Sequence, residues 1–305
     1  RIEWAQHQFP YYNIQSLDIV QMSRTPEDMK AFESALMPNG TAEDAYLIPR
    51  NWELTNTRYL LGPAGFLEPL NGQLDPVKKR FKIAARFNIE PKPGIEDSNH
   101  QGYSLDQVTA VLATNGEYAL FDFTGALPRA ELYTNWEAGV SDTNALHQLA
   151  SKSFNPAQTV IVANDIEKPS ASSSANSTNA GTVEFTHYAP TDIKLQADVV
   201  APSVLLLNDR FDPHWQVRVD GKRKQLLRCN YIMRGVFLDP GQHRVEFVFR
   251  VPHWSLYVSL SAIALGILLL VVVNGTKDSQ TPETAPEMAA DTTTTPARTS
   301  QNRPK

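Results

Sequence analysis

The sequence predicts a mainly β or α+β domain that ends in an antiparallel β-sandwich, followed by one transmembrane helix and a disordered tail. Three observations support this prediction. Short segments in which apolar and polar residues alternate recur before residue 252, and a period of two is typical of half-buried strands. An uncharged apolar run follows, from Leu256 to Val273. Residues 276–305 are rich in Thr, Pro, Ala and Glu and lack apolar periodicity, a composition that favours disorder.

The N-terminal region, residues 1–167, predicts both helices and strands and is treated as one α+β domain. Thr25 suits the N-cap of a helix and Pro26 its first residue, and we expect this helix to end near Leu36. A second, short helix is predicted over Asp142–Ser153. Apolar, β-branched and aromatic runs predict five strands: Leu54–Leu61, Phe81–Ile89, Val108–Ala113, Glu117–Phe123 and Thr159–Val162.

A low-complexity linker or exposed loop, residues 168–180, precedes a second β region at residues 181–252. The predicted strands of this region are Val183–Tyr188, Ile193–Val199, Val204–Leu207, Gln216–Val219, Tyr231–Leu238 and His243–Val251. Turns are predicted at Asp220-Gly221 and at Pro240-Gly241. Strands at this spacing suggest an antiparallel sandwich. Because the last strand leads almost directly into the apolar run, we expect the sandwich to lie close to a membrane surface.

The apolar run predicts a membrane span within residues 253–275. Its 18 residues carry no charge, and as a helix they would cover roughly 27 Å, close to the hydrocarbon thickness of a bilayer. Trp254 and Tyr257 lie at its entrance, where amphipathic rings favour the interface. A buried core helix is the alternative, but such a helix usually keeps one polar face, and here only Ser259 and Ser261 are polar.

Composition and charge argue against several classes of protein. The net charge of −5 is unsuited to a general nucleic-acid binder, whose affinity depends on neutralising phosphates. Cys229 is the only cysteine, so an internal disulfide is impossible. We see no metal-ligand cluster, Gly-rich phosphate loop or Ser nucleophile motif, and we expect neither metal nor cofactor. The chain starts at Arg1 without a signal-peptide pattern, and we expect it to be a fragment.

Trp215 and three nearby carboxylates are the first candidates for a functional site. Trp215 is either a core anchor or a platform on which a sugar stacks, and an aromatic ring on a β-sandwich is more often core. Asp209, Asp212 and Asp220 include enough carboxylates for the acid and base of a glycosidase. Solvated loop carboxylates are the favoured interpretation of all three.

A basic stretch is the second candidate. It contains one acid, Asp220, and six bases: Arg218, Lys222, Arg223, Lys224, Arg228 and Arg234. If it faces a bilayer, it would attract anionic head groups or a polyprenyl phosphate. A solvated hairpin with ordinary basic side chains is the competing and slightly favoured interpretation.

Several short motifs follow one another in a defined order along the chain. In residues 205–252 an apolar strand precedes Pro213, Trp215, Val219, Asp220, Gly221, Asn230, Arg234, Gly235, Val236, Pro240, Gly241, His243, Val245 and Phe247. This order and spacing resemble the C-terminal region of the bacterial YfhO family of membrane proteins. The family has Gly where this chain has His214. Two earlier segments match as well, Leu54–Leu61 and Ala126–Ala130, so the resemblance spans roughly residues 54–273.

The resemblance implies a function, because YfhO proteins are polytopic and similar to GT-C glycosyltransferases. It implies transfer of a sugar from a polyprenyl-phosphate donor to a cell-envelope polymer on the outer face of the bacterial cell membrane. It places the β domain in the extracytoplasmic space and the tail, residues 276–305, in the cytoplasm. The catalytic acid is expected in an early outer loop that this chain lacks. We therefore assign no catalytic residue and expect the fragment to be inactive alone.

From this resemblance we expect the chain to cover the membrane-embedded active site and to help position the acceptor. Trp215 and Arg234 are the candidate substrate-binding residues, with Arg218 and Lys222 as phosphate contacts. Replacing the last two by Ala is expected to weaken polyprenyl-phosphate binding. Two alternatives remain: a membrane-tethered carbohydrate-binding sandwich without an enzyme, and a structural domain that stabilises a transporter or an assembly partner.

Overall fold

A computed structural model of the protein describes residues 9–12, 14–17, 25–95, 102–167, 180–251 and 253–277. The chain divides into two compact units, Arg1–Arg250 and Val251–Lys305. Nearly all of the predicted linker, 168–180, and of the predicted tail, 276–305, lies outside the described residues. The domain boundaries drawn at these segments therefore stay predictions.

The first unit is mainly β, and its sheets are antiparallel apart from one short parallel pair. In chain order, the strands β1 to β15 are Tyr59–Pro63, Phe81–Pro91, Val108–Leu112, Tyr118–Phe123, Ala130–Tyr133, Trp136–Glu137, Val160–Ile161, Gly181–Ala189, Asp192–Val199, Ser203–Arg210, Trp215–Val219, Lys222–Lys224, Leu227–Cys229, Met233–Leu238 and Gly241–Phe249. The α-helices α1 to α5 are Glu27–Ala35, Leu47–Leu54, Leu67–Pro69, Asp142–Ala150 and, in the second unit, Trp254–Lys277. Five short turns of 3₁₀- or π-helix are Pro10–Tyr12, Ala42–Asp44, Ala64–Phe66, Leu70–Leu74 and Leu105–Gln107.

Several predicted boundaries differ from the structure, and two of these differences have a local cause. The predicted strand Leu54–Leu61 is wrong over its first half, because Leu54 ends α2 and β1 begins only at Tyr59. Asn56 separates the two elements with a φ of 55°, a left-handed conformation that Asn tolerates better than most residues. In α1 the cap is Pro26 rather than Thr25, because the ψ of 149° at Pro26 is extended and not helical.

The strands β1, β4, β2 and β3 form the first sheet, in that order. Its buried face is aromatic: the rings of Phe81 and Phe123 stack with centroids 4.7 Å apart, and Trp52 of α2 meets both rings edge-on. Phe123 is completely buried. This packing attaches α2 to the sheet.

Two further sheets share an apolar core. One has the order β13-β14-β10-β5 and the other β12-β11-β15-β9-β8. One cluster of buried side chains contains Leu205 and Val236 of the four-stranded sheet together with Leu195, Val217 and Phe247 of the five-stranded sheet. Every second residue of β9 and β11 is buried, as are Val245 and Phe247 of β15, as the alternation in the sequence predicts.

The central strand β10 is buried on both faces. Leu205 and Leu207 join the cluster shared by the two sheets, whereas Val204 and Leu206 pack in a second cluster with Phe32 of α1 and helix α4. A continuous apolar run is therefore needed here rather than an alternating one. Its neighbour β14 approaches β10 closely at Gly235. A Cβ at this position would lie only 2.6 Å from the carbonyl oxygen of Leu205, so the approach requires glycine.

The second unit contains the predicted membrane span. Within the described residues, one helix is long and apolar enough to cross a membrane; its apolar segment is Leu256–Asn274, with a mean hydropathy of 2.7 and no buried share. A core helix of a soluble protein would be mostly buried. Length, composition and exposure together indicate association with a membrane.

Candidate functional site

An open cleft lies where β10 ends and β11 begins. Its volume is about 340 Å³, and the residues that line it include Tyr188, Asp209, Phe211, Asp212, Trp215 and Arg234. Two residues predicted from the sequence, Trp215 and Arg234, thus lie in one site.

Arg234 is buried against Trp215. The guanidinium carbon of Arg234 lies 3.8 Å from the centroid of the Trp215 ring, within cation–π distance. Its Nη2 donates to Asp209 Oδ2 at 2.9 Å and its Nη1 to the carbonyl oxygen of Arg210 at 2.8 Å. Burial lowers the pKa of Arg234 to about 10, which leaves the guanidinium charged at neutral pH.

Asp209 is shared by two arginines. Besides Arg234 it binds Arg129, whose Nη2 and Nε lie 2.6 Å and 3.2 Å from Asp209 Oδ1. Arg129 also stacks on Tyr188, with the guanidinium carbon 4.3 Å from the ring centroid, and donates to the Tyr188 hydroxyl. The group Arg129–Asp209–Arg234, hereafter the arginine–aspartate triad, therefore carries two positive charges and one negative charge.

Strand pairing brings the triad together. Arg234 on β14 lies opposite Leu207 on β10, and β5 begins at Ala130, also opposite Leu207. Arg129 therefore sits at the same end of the sheet as Arg234. The register of β10 shifts between Leu207 and Arg210, and Asp209 lies inside this irregularity, where a bulge re-aims side chains.

Asp212, which lines the cleft, contacts His214. Asp212 Oδ1 lies 2.8 Å from His214 Nδ1 and accepts a further hydrogen bond of 2.8 Å from the backbone N–H of His214. Partial burial by itself would raise the pKa of Asp212, but these hydrogen bonds and the nearby positive charge outweigh it and lower the pKa. The side chains of His214 and Asp212 each have more than two fifths of their surface exposed. A bound molecule could therefore reach them.

The remaining predicted site residues, Arg218 and Lys222, do not line the cleft. Both are exposed. Trp215 itself is only 8% exposed and belongs to the core cluster, so its main role is the core anchoring favoured by the sequence. A ligand in the cleft would meet the small exposed part of Trp215 and the larger exposed surface of Tyr188, which is 42% exposed.

The prediction for Asp209 is wrong. Its side chain is 11% exposed and is held by two arginines, whereas a solvated loop carboxylate was expected. The reason is the irregularity in β10, which the sequence does not reveal. Asp220 is an exposed turn residue, as expected, with 49% of its side-chain surface accessible, and Asp212 is a half-buried loop residue with 43% accessible.

Arg129 and Tyr188 are site residues that the sequence did not single out. Arg129 directly precedes β5 and Tyr188 is the second-to-last residue of β8, about 80 and 20 residues from Asp209. Arg129 lies in one of the segments that carry the family resemblance, and this was the one available signal.

Several other residues of the resemblance have structural roles. Asn230 is fully buried with a φ of 43°, and its Oδ1 accepts from the backbone N–H of Ile161 at 3.0 Å. Asn56 donates to the carbonyl oxygen of Leu127, which joins the two earlier segments of the resemblance. Asp220 and Gly221 have φ values of 51° and 76°, which confirms the predicted tight turn between β11 and β12.

The cleft offers groups that can bind a polar ligand. It is lined by aromatic, guanidinium and carboxylate groups, the set that orients polar ligands in pockets. Cys229 is fully buried, and burial raises the pKa of its thiol, which disfavours the nucleophilic thiolate. Among the described residues, no group of three or more His, Cys, Asp or Glu could hold a metal ion.

Comparisons with known proteins give no relatives: no protein-family model, no curated protein and no solved structure matches the chain.

Proposed function

We propose that this chain is the membrane-anchored, extracytoplasmic part of a larger glycosyltransferase that resembles the YfhO family, and that its cleft positions the glycan acceptor. The observation that carries this proposal is the cleft in which Tyr188 and Trp215 lie beside the arginine–aspartate triad. Sugars combine apolar ring faces with hydroxyl groups, and aromatic rings next to charged hydrogen-bonding groups suit both.

The proposal places the two sheets with a common core, as a β-sandwich, on the outer face of a bacterial membrane. The chemical step belongs to an upstream, membrane-embedded part that uses a polyprenyl-phosphate donor. The described residues contribute acceptor binding and no catalytic group. In this arrangement, α5 anchors the domain and the tail after it lies in the cytoplasm.

Glycan binding by the full chain in phosphatidylcholine nanodiscs tests the role of the cleft, with an array of bacterial cell-envelope oligosaccharides as the probe. Tyr188→Ala should weaken binding about tenfold, which corresponds to a lost interaction of about 1.4 kcal/mol. Tyr59→Ala is the matched control, because Tyr59 is an exposed strand tyrosine on another sheet that also has an arginine, Arg58, over its ring. We expect this variant to bind like the wild type.

Absence of glycan binding by the wild-type chain would overturn the proposed role and leave a structural domain. The attached enzyme is tested separately, from the reading frame upstream of Arg1. About ten apolar spans with an acidic residue in the first outer loop would support the glycosyltransferase. A signal peptide directly before Arg1 would instead leave a tethered glycan-binding domain.

A further inference from the structure

The β11–β12 hairpin divides its basic side chains between two faces. From the turn outward, the cross-strand pairs are Val219 with Lys222, Arg218 with Arg223, and Val217 with Lys224. Successive side chains of a strand point to opposite faces of the sheet. Arg218 and Arg223 therefore share the outer face, whereas Lys222 and Lys224 lie on the opposite one. Sequence proximity had paired Arg218 with Lys222.

The arginine pair Arg218–Arg223 is not neutralised by any carboxylate of the described residues. Among the described residues, no carboxylate forms an ion pair with either guanidinium. Glu246 lies opposite Arg218 on β15, but its Oε1 is bound by Arg244 Nε at 3.2 Å. Like charges directly opposite each other destabilise a sheet. The pairing of Arg218 with Arg223 should therefore lower the stability of the hairpin, which points to a role other than folding.

Three other bases of the same stretch have acidic partners within the protein. Lys224 Nζ lies 4.0 Å from Asp239 Oδ2, Arg228 Nη1 lies 3.1 Å from Asp142, and Arg234 is bound in the arginine–aspartate triad. The unneutralised charge of the stretch is thus concentrated on the hairpin.

Protection of the sheet edge does not account for Arg218. Basic residues on an edge strand discourage pairing with another chain, and Lys222, Arg223 and Lys224 occupy the edge strand β12. Arg218 lies on β11, which is paired on both sides. An edge-protecting role therefore does not require an arginine at this inner position.

We propose that Arg218 and Arg223 form a binding site for a phosphate group. Residues directly opposite each other on paired strands have Cβ atoms about 4.5–5.5 Å apart, so both guanidiniums can reach one tetrahedral phosphate. A phosphate monoester carries a charge of about −1.5 to −2 at neutral pH and neutralises both arginines, whereas a carboxylate would neutralise one. Charge-assisted, bidentate hydrogen bonds are the form in which Arg binds phosphate.

This site deepens the proposed function and rests on it for the natural ligand, since a polyprenyl phosphate would present the same group. A lipid head group that is a phosphate monoester and a soluble phosphate monoester share that chemistry. The experiment therefore uses inorganic phosphate as its probe and changes the lipid to distinguish the two sources.

The test titrates the full chain in phosphatidylcholine nanodiscs with inorganic phosphate, followed by NMR of the arginine side chains and by calorimetry. Arg218→Gln and Arg223→Gln should each weaken binding about tenfold, because hydrogen bonds between charged groups are strong. Lys222→Gln and Lys224→Gln are controls that remove the same charge from the same hairpin on the other face, where Lys224 Nζ also lies 4.0 Å from Asp239 Oδ2. We expect these variants to change the affinity less than about twofold, as for a screened surface charge.

Nanodiscs that contain phosphatidic acid, whose head group is a phosphate monoester, identify the source. If added phosphate no longer binds there, lipid head groups occupy the site, and unchanged binding indicates a soluble ligand. The site is refuted if the wild type shows no saturable phosphate binding, or if the lysine variants lose as much affinity as the arginine variants. A chain that binds phosphate but no glycan keeps this site and loses the proposed function, and the converse result removes this site alone.

Discussion

Arg234 is the residue on which the cleft depends, because it joins three kinds of contact. It stacks on Trp215, forms an ion pair with Asp209 and donates a hydrogen bond to the carbonyl oxygen of Arg210. Only 3% of it is exposed. A buried charge is stable only when it is paired and hydrogen-bonded, so each of these partners helps to keep the others in place.

Replacing Arg234 by Met should lower the free energy of unfolding by about 3 kcal/mol. This is the low end of the range for breaking a buried ion pair, because Arg129 would still neutralise Asp209. The measurement is urea unfolding of the full chain in detergent, followed by tryptophan fluorescence.

Arg58→Met is the control for this prediction. Arg58 also pairs with an aspartate, Asp122, at 3.0 Å, but its side chain is 61% exposed. Since solvent screens exposed pairs, the control should unfold close to the wild type. Similar losses in the two variants would show that burial of Arg234 contributes nothing to stability.

At the scale of elements, one carboxylate fastens the β11–β12 turn to β15. Asp220 Oδ1 accepts from the backbone N–H of Arg244 at 2.9 Å, and Asp220 Oδ2 lies 2.7 Å from His243 Nδ1. The hydrogen bond with Asp220 raises the pKa of His243, and the same bond lowers the pKa of Asp220. These contacts of Asp220 with His243 and Arg244 form a clamp between the turn and β15. The clamp weakens at high pH, where His243 loses its proton, and at low pH, where Asp220 gains one.

The pH dependence of this clamp follows from the two directions. A histidine with a raised folded pKa contributes fully below its unfolded pKa of about 6.5, and the contribution is lost as the pH rises through the folded pKa. An aspartate with a lowered pKa contributes above its unfolded pKa of about 3.9 and loses the contribution as the pH falls through the folded pKa. The clamp should thus be strongest between these two unfolded values.

His243→Gln should therefore destabilise the protein most near pH 5.5 and progressively less as the pH rises above about 6.5. Melting temperatures of both proteins, measured across this range, test the prediction. His187→Gln, which replaces an exposed histidine on β8, should show no such trend. A His243 deficit that is the same at every pH would refute a contribution from protonated His243.

At the scale of the whole molecule, α5 is the element that associates the protein with a membrane. Its apolar segment Leu256–Asn274 is uniformly exposed, so in water it would carry a large unfavourable hydration free energy. The first unit has its own apolar clusters. The first unit therefore has a core suited to water, whereas the exposed apolar surface of α5 is suited to a lipid bilayer.

Leu265→Arg, near the middle of the segment, should shift the chain out of the membrane. An arginine at a helix centre costs roughly 2.5–3.5 kcal/mol of insertion free energy. After expression of the chain, alkaline carbonate should leave the wild type and a Leu265→Phe control in the membrane pellet and release a large part of the Arg variant. Release of the wild type would contradict a spanning helix.

Local patterns in the sequence were sufficient for most elements. The alternation in β9 and β15, the turn at Asp220-Gly221 and the apolar run of α5 all follow from neighbouring residues, because backbone sterics and burial impose periods of two and of 3.6. The same local reasoning failed at Leu54–Leu61, where a helix end and a strand start fall within one apolar segment.

The cleft and its charges depend on contacts that no local pattern contains. Arg129 and Asp209 are 80 positions apart, and Asp209 and Arg234 are 25 apart. Their meeting requires the order β14-β10-β5 and the irregularity after Leu207. The register of the β11–β12 hairpin likewise placed Arg218 beside Arg223 and not beside Lys222. Periodicity gives each strand two faces, but strand order and register, set by packing of the whole core, determine which side chains meet.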